Sequence, residues 1–97
     1  MTFVKPDDVK SPKAHWYLFE VVLDRGPGNC AYVLGERDGV RRIGFRWNGN
    51  DDNPIGNPQS RALPTWTMLD EAMHEAVIAM LPRKKQDMAR GFFGIKS

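Results

Sequence analysis

The chain reads as an α+β fold: an antiparallel sheet of three to four strands in the chain order β-β-β-(β)-α, with one helix packed on one face. Three observations predict it. An Asp38-Gly39 pair separates two stretches of strand character. Residues 15–25 are rich in aromatic and β-branched side chains, and a regular helical stripe runs over 70–81.

The size suits a single core. Ninety-seven residues, 41% apolar and 27% charged, describe a modest globular chain rather than a disordered or fibrous one. A formal net charge of +2 is too small to imply a nucleic-acid partner unless the cations cluster. One cysteine, Cys30, excludes an internal disulfide and a multi-cysteine metal site. No apolar run approaches the roughly 18 residues of a membrane span. Residues 1–8 hold no apolar segment of a secretory signal, so a soluble, cytoplasmic chain without membrane contact is expected.

Residues 1–14 form the expected flexible arm, with Pro6, Pro12 and few sizeable apolar groups. The domain itself is placed at 15–82. Its first strand, 15–25, ends in the Gly26-Pro27-Gly28 turn. Strands two and three, 29–37 and 40–47, are joined by Asp38-Gly39, a two-residue turn whose central positions both need positive φ.

That turn pairs Arg37 with Val40 and fixes every later pair by counting. One face then carries Leu34 with Ile43, Tyr32 with Phe45, Cys30 with Trp47, and Glu36 with Arg41 at the end. This apolar stripe faces the core. The first strand adds Tyr17, Phe19, Val21 and Leu23 if Leu23 lies opposite Cys30 and Asp24 opposite Asn29. The outer face becomes Trp16, Leu18, Glu20, Val22, Ala31, Val33, Arg42 and Arg46. It is too apolar to meet water alone, so something covers it.

Residues 48–64 form a long segment without apolar period, and residues 65–69 are a short fourth strand or the start of the helix. In the helix, Leu69, Met73, Ala76, Val77 and Met80 make the buried stripe, with Asp70 as N-cap and Pro82 as the stop. Thr67 is the alternative cap. Glu71, His74, Glu75 and Ile78 fall on the opposite side, where Ile78 marks a contact. Residues 83–97 are read as a basic tail ending in Phe92-Phe93-Gly94-Ile95.

No spacing specifies catalysis. Cys30 points into the core in this register, where a thiol stays protonated, and His74 reads as a solvated surface histidine with no nucleophile beside it. Residues 48–53 are oxygen-rich, but no glutamate stands between Glu36 and Glu71 to complete a calcium loop. Residues 54–61 lack the glycine spacing of a phosphate loop. No catalytic residue, cofactor or metal site is therefore assigned, and the chain is expected not to be an enzyme.

The expected function is a small non-enzymatic protein-interaction or self-association module, most simply a homodimer. Its contact candidates are Trp16, Leu18, Val33, Arg42, Arg46 and Ile78, with Asp51, Asp52, Ser60 and Arg61 on the long loop. The alternative is weakly specific nucleic-acid binding through Arg42, Arg46 and the tail residues Arg83, Lys84, Lys85 and Arg90. The cover of the outer face is left as either a partner or the chain's own Phe92, Phe93 and Ile95.

Overall fold

The computed structural model describes residues 4–11, 14–61 and 63–95. The parts of the expected arm and tail at 1–3, 12–13 and 96–97 lie outside them. Strands β1 (Trp16–Asp24), β2 (Cys30–Arg37), β3 (Val40–Trp47) and β6 (Thr67–Met68) form a four-stranded antiparallel sheet in the order β1-β2-β3-β6. Between β3 and β6, β4 (Gln59–Ser60) pairs with β5 (Leu63–Pro64) as a small separate ribbon. Two helices complete the chain, α1 (His74–Met80) and α2 (Arg83–Phe93). The α+β class is as expected.

The hairpin sets the frame. Asp38 and Gly39 have φ of 51° and 82°, and β2 pairs with β3 from Arg37↔Val40 through Leu34↔Ile43 to Cys30↔Trp47 without a slip. Leu34 and Ile43 are fully buried together, and the Tyr32 and Phe45 rings stack with centroids 6.2 Å apart. The predicted stripe is core at Leu34 and Ile43, with Tyr32 packed against them, whereas Phe45, Cys30 and Trp47 are only partly buried.

The first strand departs from its expected register. Two bulges, between Leu18 and Glu20 and between Val21 and Leu23, bring Leu23 opposite Tyr32 and Asp24 opposite Ala31. Each bulge sets two residues against one and turns the next part of the strand to the other face. Val21 therefore points to the outer face, while Val22 joins the core with Leu34 and Ile43. A strict two-residue alternation does not hold along β1.

The helix is also turned from its expected phase. Asp70 does cap it, accepting a hydrogen bond from the Ala72 N–H at 2.9 Å, and the chain passes through a 3-10 turn at Glu71–Met73 into α1. The buried residues, however, are His74, Val77, Ile78 and Leu81, whereas Met73 and Met80 are about half exposed. Two overlapping stripes share Val77. The branched Ile78 and Leu81 win over the flexible methionines once a second helix is there to pack beside them.

That second helix is the segment expected to be a tail. Pro82 precedes the first turn, where its missing N–H costs nothing, and Gly94 closes the helix in the left-handed region at φ 71°. Ala89 and Phe92 pack into the core with Val22, Leu34 and Ile43. The C-terminal residues thus fold back, but onto the helix side of the sheet.

The outer face has a different cover. Val9, from the segment expected to be a loose arm, is fully buried there with Trp16, Ala31, Val33 and Trp66. The Trp66 Nε1–H donates to the Val9 carbonyl at 2.7 Å, which holds residues 4–11 to the sheet. The Trp16 ring lies over Gly35, and Trp66 packs with Met68 against Gly44. Glycine at both positions leaves the depth an indole needs.

Candidate interaction surface

Most of the expected contact residues are interior. Trp16 is 6% exposed, Arg46 1%, and Val33 and Ile78 are fully buried; Leu18 and Arg42 are partly buried. The face was read correctly as covered, but its occupants are the chain's own Val9 and Trp66. The buried four have no surface to offer a partner.

Arg46 has a structural task. Its guanidinium donates to the Thr65 carbonyl at 2.9 Å and to the Ile55 carbonyl, clamping the middle and the far end of the long loop to β3. Burial lowers its pKa from the ordinary arginine value. A cation is tolerated there because two main-chain oxygens replace its water.

The loop is built rather than open. Asn50 Oδ1 accepts from the Asp52 and Asn53 N–H groups at 3.0 and 2.9 Å, and Asn57 exchanges two main-chain hydrogen bonds with Trp47. Asn48 Nδ2 ties β3 to the first turn through Asp24 Oδ1 and the Gly26 carbonyl. Asp51, Asp52, Ser60 and Arg61 are exposed on this scaffold. On the same loop Leu63 is 55% exposed, whereas Ile55 is half-buried.

His74 is not the solvated residue its neighbours suggested. It is 6% exposed, stacks on Phe93 with centroids 4.7 Å apart, and accepts the Ile43 N–H at Nε2. Burial, reinforced by the positive charge of Arg42, lowers its pKa; Glu71, the Leu69 backbone and Asp70 pull the other way. Its acceptor nitrogen is committed to the main chain of β3. Among the described residues, no three His, Cys, Asp or Glu side chains gather as metal ligands.

The basic residues of α2 are largely paired. Lys85 meets Glu20 at 2.7 Å, Arg90 meets Glu75 at 2.9 Å, and Arg83 reaches Asp87 at 3.7 Å. Lys84 is exposed. No helix among the described residues is long and apolar enough to cross a membrane.

Exposed apolar side chains are spread over Val40, Leu63, Met73 and Met80, but the exposed aromatics lie along the seam between β1 and α2. Tyr17 is 62% and Phe19 47% exposed; every other described aromatic is at least half-buried. Phe19 stacks on Phe92 at 4.8 Å, and Arg41 sits over the other flank of Phe92 at 4.8 Å while donating to the Phe92 carbonyl. On α2, Lys84, Met88 and Gly91 succeed one another at spacings of four and three, a single helical stripe beside Phe92, whereas Ile95 lies past the Gly94 cap beside His74, Glu75 and Phe93. Met88 and Ile95 are exposed, and a Cβ on Gly91 would meet only open space.

Sequence reasoning missed this seam because it placed Tyr17 and Phe19 on the core face and read α2 as a tail. Both rings are on the core side of the sheet. Yet they stand at its rim, where α2 is too narrow to cover them. Comparison of the chain with protein-family models, with curated proteins and with solved structures finds no match to any of them.

Proposed function

We propose that this chain is a small non-enzymatic interaction module that self-associates through the seam formed by Tyr17, Phe19 and Met88. One observation carries the reading: two aromatic side chains stay exposed on an edge strand of a chain that encloses its other described aromatics. Aromatics and methionine are the residues enriched at protein contacts, because they remove large area from water with few rotatable bonds. Gly91 supports the same reading. Glycine inside a helix is unfavourable by about 1 kcal/mol relative to alanine, and here no internal contact requires it. A backbone approaching from outside would.

The contact is through side chains rather than by adding a strand. Two bulges in β1 break the two-residue period that an added strand needs on its edge. The nucleic-acid alternative has less support, since Arg46 is buried on carbonyls and Lys85 and Arg90 are paired with carboxylates.

Sedimentation velocity over a hundredfold range of concentration tests the proposal. The wild-type chain is expected to associate, and Tyr17→Ser, at an exposed position outside the core clusters, to weaken association by about tenfold or more. A wild-type chain that stays monomeric throughout overturns it.

A further inference from the structure

The hairpin end of the outer face holds a cleft of about 590 Å³, away from the β1/α2 seam. Arg37 and Arg42 line it from β2 and β3, with Val40, Met68 and Leu69 as apolar walls. In the hairpin register Arg37 is opposite Val40 and Arg42 opposite Gly35, so the two arginines stand diagonally on one face.

They share with Arg25, Arg61 and Lys84 the lack of a salt bridge among the described residues, and unlike those three they stand together in one cleft. Arg41, Arg83, Lys85 and Arg90 each have a carboxylate within 3.7 Å, whereas Arg37 and Arg42 have no ion-pair partner among the described residues. Two carboxylates share the cleft, and one oxygen of each is held by a group other than the arginines. Asp38 Oδ1 contacts His15 Nδ1 at 2.8 Å, and Asp70 Oδ1 caps the turn before α1 through the Ala72 N–H. Arg42 is only partly exposed, so its guanidinium has lost some water without a carboxylate in direct contact.

We infer that this cleft is an oxyanion-binding site, in which Arg37 and Arg42 take a carboxylate or phosphate and the Val40–Met68–Leu69 wall takes an apolar group attached to it. Guanidinium groups suit this ligand because their fork of N–H donors matches two oxygens of one anion. The apolar wall favours a carboxylate on an alkyl chain over a bare anion by burying methylene groups. The site does not depend on self-association at the seam.

Amide chemical shifts read the test, with inorganic phosphate, acetate and hexanoate titrated at constant ionic strength. Saturable shifts are expected at Arg37, Val40, Arg42 and Met68, with Arg25 and Arg61 unmoved as exposed controls. Hexanoate is expected to bind more tightly than acetate; saturation by phosphate alone keeps the oxyanion site and assigns it to a free anion. Arg42→Gln and the more exposed Arg37→Gln are each expected to weaken binding by about tenfold. Shifts no larger than those at Arg25 and Arg61, or binding unchanged in both variants, overturn the inference.

Discussion

The Ile43 main-chain N–H donates to Nε2 of His74 at 3.3 Å, so a side chain from α1 completes the edge of a β-strand. Beyond β6, the Ile43 carbonyl is taken by the Leu69 N–H, and the imidazole serves the remaining donor. Accepting this bond requires an unprotonated Nε2. Unfolded, the chain takes up the proton first as pH falls, because burial holds the folded imidazole below its ordinary range. Stability is therefore expected to be full above about pH 6.5 and to decline as pH falls below it. Urea unfolding between pH 5 and 8 measures this, and His74→Phe, which cannot titrate, is expected to flatten the profile. That variant also leaves the Ile43 N–H unpaired, at a loss of about 1–3 kcal/mol at pH 8.

Arg46 holds two stretches of the long loop by their carbonyls, and lysine has neither the fork nor the reach to replace it. Arg46→Lys is expected to lower stability by about 2–4 kcal/mol. Hydrogen exchange at Asn57 and Thr65, whose amides bond to the Trp47 and Pro58 carbonyls, is expected to quicken more than exchange at Leu34. Uniform quickening would show that the guanidinium supports the whole sheet rather than the loop.

Gly35 supplies the floor on which the Trp16 ring rests. A methyl group there would drive into the indole and the Tyr17 carbonyl, and a strand backbone gives little. Gly35→Ala is expected to destabilise by about 1–3 kcal/mol through overpacking, read from the denaturation midpoint and a change in tryptophan fluorescence.

Gly91 predicts opposite effects in the free and associated chain. Gly91→Ala is expected to raise stability by about 0.5–1 kcal/mol, since a Cβ meets open space in a helical conformation. The same methyl stands in the proposed contact, so self-association is expected to weaken. Denaturation and sedimentation on one sample separate the two effects.

The Trp66 indole N–H is the tie between the sheet and residues 4–11. Trp66→Phe keeps an aromatic ring and removes the donor to Val9, and is expected to cost about 1 kcal/mol. Proteolysis near Lys5 and Lys10 is expected to accelerate while the β2/β3 hairpin stays protected.

The hairpin was legible from the residues alone, because a two-residue turn needing positive φ admits few side chains and fixes register by counting. Asp38-Gly39, the Tyr32/Phe45 stripe, the cap at Asp70 and the stop at Pro82 are local chemistry, and each stands where local chemistry puts it. The need for a cover on the outer face was legible too. Tertiary packing decided the rest. Alternation could not reveal the bulges that exchange Val21 and Val22, and periodicity could not choose between two stripes sharing Val77. Nor could composition tell that Arg83–Phe93 is a packed helix, or that Val9 and Trp66 meet on the outer face. Turns and caps are set by a few neighbouring dihedrals, whereas the facing of a strand or helix is set by whatever lies against it, and that partner is distant in sequence.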